Sequence, residues 1–170
     1  MGLFSRKRTV TAELFALELS VYASGYARNG QEHLAQALGV DPDTLPVPEL
    51  LAIHFWGACS CLGSLDESTR TVIEQGMEQH FVVPVAEMVG STEKEAFGFY
   101  ATRIVEYAEA FNNETGSGPM FHLTKHLCQN LTANTSEPGG MFQQMAVTQY
   151  VFSYMKSVPE FVEKYRVTGS

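Results

Sequence analysis

The stretch Met120 to Cys128, MFHLTKHLC, carries two histidines four residues apart and a cysteine two further on. On a helix, residues i and i+4 share a face, so His122 and His126 can both reach one metal ion. Three features oppose that reading. Leu123 stands where a zinc-protease helix carries its glutamate. The core face expected from Met120, Leu123, Leu127 and Leu131 lies about 105° from His126 and about 145° from His122, so both lean toward solvent. Cys128 lies about 160° from His126 and cannot join the pair from the same helix. The pattern reads first as a helix with wet histidines, and second as half a metal site.

A different histidine is the better candidate for chemistry. His54 sits in LLAIHFWGACSCLG, Leu50 to Gly63, a helix with almost no polar face. Its imidazole must be buried, and a buried imidazole must find hydrogen-bond partners. Glu18 falls between two apolar stripes on the first helix. Cys61 shares the side of His54, and Arg103, at the edge of the Phe97–Tyr107 face, is an alternative partner for Glu18. If His54, Glu18, Cys61 and Arg103 meet, they form the polar end of an internal pocket for a small apolar or metal-containing ligand. The same pocket would offer an acid and a base to an enzyme. The plainer reading is a satisfied polar contact that fixes helix register.

Other site patterns are missing from the chain. Cys59-x-Cys61 is half of a zinc ligand set, and each thiol reads as a small buried hydrophobe. There is no Glu-x-x-His for a di-iron bundle, no Gly-x-Ser-x-Gly elbow and no phosphate-binding glycine loop. No cofactor is expected.

The totals narrow the classes further. The chain has 170 residues, with 11 Lys and Arg against 19 Asp and Glu, a formal net charge of −8. That balance excludes a phosphate-backbone partner, so no nucleic acid is expected. Three cysteines, an odd number, do not make a disulfide framework, and reduced thiols suit a cytoplasmic protein. MGLFSRKR runs straight into TVTAE without a signal-peptide pattern. The longest apolar run, Leu50 to Gly63, falls short of the roughly 20 residues of a spanning helix.

The elements that must position these residues are helical almost throughout. The first helix is expected over Thr11–Ala27. Its stripes are Val10, Leu14, Leu17, Val21 and Phe15, Leu19, Tyr22, Tyr26, so it should pack against two neighbours. Asn29-Gly30 reads as a turn before a short helix that stops at Gly39. A helix opening at Pro48 should be the central element. Ser64 with Glu67, and Thr92 with Glu95, read as capping boxes. Pro84 should break or kink the helix between them near Val83. The helix after Thr92 should face the core with Ala96, Phe97, Tyr100, Ala101, Ile104, Tyr107, Ala108 and Phe111, with Glu106 and Glu109 opposite. Helices follow over Met120–Ala133 and from Met141 through Tyr154, then either a short terminal helix or a continuation bent at Pro159. No stretch alternates long enough to predict a strand.

The expected fold is therefore all-α: a single-domain irregular or orthogonal bundle of five long and two or three short helices over residues 10–170. Residues 1–9 read as a flexible basic arm. Its Leu3, Phe4, Arg6, Lys7 and Arg8 suit weak peripheral membrane contact or docking on a protein. The Met- and Tyr-rich segment Met141–Met155 has more apolar surface than one helix face needs. Tyr150 and Tyr154 are its expected contact residues. These features favour a non-enzymatic protein–protein interaction module that pairs with a protein partner or as a homodimer, over a ligand-binding bundle or an enzyme using the His54 pocket.

Overall fold

The computed structural model describes residues 7–113, 118–132 and 140–168. Six helices account for most of the chain. They are α1 (Ala12–Leu38), α2 (Val47–Ser60), α3 (Glu67–Val89), α4 (Glu93–Phe111), α5 (Pro119–Leu131) and α6 (Met141–Val162). A one-turn 3-10 helix, Pro42–Thr44, links α1 to α2. The all-helical class holds, but the division into five long and two or three short helices does not. The expected break at Asn29-Gly30 is absent, α6 continues through Pro159, and a small sheet is present.

The missing break is at Asn29-Gly30. Helix α1 runs on for 27 residues to Gly39, whose φ of 72° closes it in the left-handed conformation. Gly30 is there for space rather than for a turn. A Cβ at this position would overlap the ring and hydroxyl of Tyr150 on α6. At Pro159 the continuation forms rather than a separate terminal helix, and α6 passes through to Val162. Proline has no N–H for the carbonyl of Met155 one turn back. The Cys61 thiol lies 4.0 Å from that oxygen and points its weak donor at it. Pro84 likewise neither breaks nor ends α3, which continues to Val89.

Caps agree with the sequence in one place and not in another. Thr92 and Glu95 form the expected capping box: the Glu95 amide donates to Thr92 Oγ1 at 3.3 Å and the Thr92 amide to Glu95 Oε2 at 2.8 Å. At α3 the cap is Asp66, not Ser64. Its carboxylate accepts from the Thr69 amide at 2.9 Å and from the Ser68 hydroxyl at 2.6 Å. Those bonds hold the carboxyl down at about 2.

Strand β1 (Arg8–Thr11) pairs in parallel with β2 (Tyr165–Thr168). The Arg8 amide donates to the Lys164 carbonyl at 2.9 Å. Four-residue strands are too short to show a period, so sequence pattern is silent on them. Arg8 and Thr9, read as part of the arm, are thus strand residues. Lys7 is exposed, and Leu3, Phe4 and Arg6 lie outside the described residues.

Helix α2 is the centre, as expected. It packs against all five other helices. The small residues on α1 let α3 close in, and a Cβ on Gly76 would stand 2.7 Å from the Ala16 methyl. Of the two stripes, Phe15 and Leu19, with half-buried Tyr22 and Tyr26, face the core, and Val10, which lies in β1, is buried as well. Leu14, Leu17 and Val21 face solvent. On α4 the buried residues are Ala96, Tyr100 and Tyr107, while Phe97 is exposed. The core face is rotated toward Arg103, and that rotation turns Glu106 inward to half-burial. No helix among the described residues is long and apolar enough to cross a membrane.

Candidate functional site

The residues that the sequence grouped around one pocket are dispersed over three places. His54 is buried among tyrosines from α1 and α6. Its Nδ1 faces the Leu50 carbonyl one turn back, which can only accept, so Nδ1 carries the proton. Nε2 then accepts from the Tyr150 hydroxyl at 2.8 Å. That hydroxyl is also 3.0 Å from the Tyr26 carbonyl, so two acceptors share one proton. Tyr154 donates to the His54 carbonyl at 2.6 Å. The imidazole centroid lies 4.5 Å from that of Tyr154 and 5.4 Å from that of Tyr150.

Two corrections follow. Tyr150 and Tyr154 were expected on a contact surface, yet both are buried, with relative exposures of 9% and 1%. They are the partners that a buried histidine requires. And His54 meets neither Glu18 nor Arg103: no hydrogen bond or ion pair joins them. Both ring nitrogens are occupied by protein groups. No lone pair is left for a metal or a substrate while this network is closed.

Burial pushes His54 down to about 4. The sign of the pH effect follows. An unfolded histidine titrates near 6.5, so between about pH 6.5 and 4 the unfolded chain binds the extra proton. The stabilisation is complete above about pH 6.5 and is lost as pH falls toward 4, for a total of about 3 kcal/mol. Urea unfolding at pH 7 and pH 4.5 should show that loss in the native chain. The difference between the two pH values should be smaller in His54→Phe, where carboxylate effects remain but this one is gone. An equal slope in both chains would mean that His54 is not the neutral buried group described.

Glu18 is at the far end of α1. It pairs with Arg8 of β1 and accepts from the Tyr165 hydroxyl of β2. This carboxylate therefore fastens the sheet to α1. Arg8 is largely exposed, and such a pair contributes about 0–1 kcal/mol.

Arg103 found a buried carboxylate, but a different one. Its Nε donates to Glu49 Oε1 at 2.6 Å and its Nη1 to Glu106 Oε2 at 2.6 Å. Glu49 Oε2 accepts from the Tyr107 hydroxyl at 2.9 Å. His126 Nε2 reaches Glu106 Oε2 at 3.3 Å. The guanidinium carbon also stands 5.1 Å above the Phe99 ring. Burial works against charge at both Arg103 and Glu106, but it is outweighed: Glu49 first and then Glu106 raise the Arg103 pKa, and Arg103 with His126 lowers that of Glu106. Glu49 is the residue that sequence reasoning missed. A glutamate in a first turn reads as a helix-start acid. The available signal was that every other face of α2 is apolar, which leaves its carboxylate no route to water.

His122 and His126 both lie in the expected part of α5. Leu123, Thr124, Leu127, Cys128 and Leu131 are the buried face. His126 is engaged by Glu106, and His122 packs edge-on to Phe121 with centroids 5.6 Å apart. Among the described residues no three His, Cys, Asp or Glu side chains are grouped to hold a metal ion. Burial pushes the Cys59 thiol up to about 12 and Cys128 up to about 11, and Cys61 is raised as well. At neutral pH these are thiols rather than nucleophilic thiolates.

The least explained surface is on α6. Met141, Phe142, Met145 and Phe152 are 78%, 88%, 61% and 57% exposed. Phe142, Met145 and Phe152, with Met120 and Phe121 of α5, border an open groove of about 770 Å³. Comparison with protein-family models, with curated proteins and with solved structures finds no match to this chain.

Proposed function

We propose that the protein is a helical interaction module that associates with a second copy of itself through the α5–α6 groove. One observation carries this reading: four large apolar side chains along α6, Met141, Phe142, Met145 and Phe152, stand mostly in water. Apolar surface grouped in this way on a folded chain is characteristic of interaction sites. Phe142, Met145, Gln149 and Phe152 are spaced 3, 4 and 3, the repeat of a helix–helix seam, with one polar residue to set register.

Charge favours a second copy as the occupant. The chain carries a net −8, yet Met141 to Met155 contains no charged residue. Two α6 helices related by a two-fold axis can meet there without like charges in contact. The contact residues differ from those expected on sequence grounds: Phe142, Met145 and Phe152 replace Tyr150 and Tyr154, on the opposite side of the same helix.

Sedimentation equilibrium tests the reading. The native chain should show a monomer–dimer equilibrium. Phe142→Glu and Phe152→Glu should each yield monomers with unchanged helical circular dichroism and thermal midpoint. A native chain that remains monomeric up to on the order of 1 mM would overturn the proposal.

A further inference from the structure

A second cavity lies on the other side of the molecule, between α1, α2 and α3. It has a volume of about 500 Å³, within the range of roughly 300–1,000 Å³ usual for small-molecule sites. Leu50, Phe55, Phe81 and Met88 form its apolar wall. Pro84 also lines it and has no N–H to present, so that stretch of α3 is a carbon surface. The polar groups are Arg28 and Ser24 on one side and His80 on the other, with Gln31 beside Arg28. The Gln31 amide nitrogen is already committed to the Pro42 carbonyl at 2.8 Å.

Arg28 is the unusual member. It is exposed, and no described residue forms a hydrogen bond or ion pair with it. Glu32 and Asp43 line an adjoining depression together with Arg28, yet neither is within ion-pair distance. The guanidinium therefore keeps its planar fork of donors free beside an apolar cavity. That combination fits a ligand with one carbon chain and one carboxylate, which a guanidinium binds through two parallel hydrogen bonds. A polyanion fits poorly, because Arg28 is the only permanent cation among the described residues that line the cavity, and the chain as a whole is acidic.

We propose that this cavity binds a small apolar carboxylate, its chain against Leu50, Phe55, Phe81 and Met88 and its carboxylate on Arg28. The site is independent of the α5–α6 groove, so it stands or falls separately from self-association. Isothermal titration with decanoate below its micelle concentration tests it. The Phe142→Glu chain is used so that the other apolar surface does not compete. One site per chain is expected, with decan-1-ol binding at least about tenfold more weakly. Arg28→Leu should weaken decanoate by about the same factor and leave decan-1-ol unchanged. Ser24→Phe, which puts a ring into the cavity, should abolish both. No decanoate binding, or decanoate binding indifferent to Arg28→Leu, overturns the proposal. Decanoate binding that survives in a folded Ser24→Phe chain places the ligand elsewhere and overturns it too. Arg28 is exposed, so Arg28→Leu remains decisive if Ser24→Phe does not fold.

Discussion

Replacing Arg103 by Met should cost about 3–5 kcal/mol of stability, the range for breaking a buried ion pair on one side. The magnitude rests on Glu49 rather than on Arg103. The Glu49 side chain is 6% exposed against 23% for Arg103, so the substitution leaves a carboxylate in the core with only the Tyr107 hydroxyl for company. Since whole domains are stable by about 5–15 kcal/mol, the loss would be a large fraction of the total. Adding Glu49→Gln to Arg103→Met should recover much of it. A glutamine carries no charge and can still accept from Tyr107. Urea midpoints of the two single variants and the double variant close the cycle. A cost below about 1 kcal/mol for Arg103→Met would show a pair that behaves as a surface salt bridge.

The second large effect concerns two glycines on one helix. Helix propensity alone says that Gly→Ala in a helix interior gains about 1 kcal/mol. Gly25 should obey, because a Cβ there meets nothing within 4 Å. Gly30 should do the reverse. Its Cβ would occupy the place of the Tyr150 ring, and that ring is held by His54 and by the Tyr26 carbonyl. Moving it costs about 1–3 kcal/mol in overpacking. The unsatisfied His54 nitrogen costs a further 1–3 kcal/mol or so. These terms outweigh the propensity gain, so Gly30→Ala should destabilise by about 1–5 kcal/mol while Gly25→Ala stabilises. Thermal and urea unfolding of the two variants read the signs directly. Stabilisation by both would mean that α1 and α6 are not in contact at Gly30.

Both predictions concern how helices distant in sequence meet, and neither was available from helical period. The same is true of the surfaces proposed for binding. Self-association depends on which face of α6 is turned away from α2. The carboxylate cavity depends on the gap left among α1, α2 and α3. The two lie on different sides of one core and can be disabled separately, by Phe142→Glu and by Arg28→Leu.

By itself the sequence determined the helical class, because apolar residues recur at helical spacing along nearly the whole chain. It determined that α2 is central, since a helix apolar on almost every face has nowhere else to go. It determined the Thr92–Glu95 cap, which is local chemistry, and the burial of His54. Tertiary structure decided the partners. Period says which residues share a face but not how far each helix is rotated against the next. So Arg103 was legible as a residue needing a carboxylate, and only packing chose Glu49 over Glu18. Tyr150 and Tyr154 were legible as an apolar stripe with polar tips. Only the presence of His54 opposite them turned that stripe inward and left Phe142, Met145 and Phe152 facing water. Gly30 carried a turn residue's signature, and it was the bulk of Tyr150, on a helix far along the chain, that gave it another purpose.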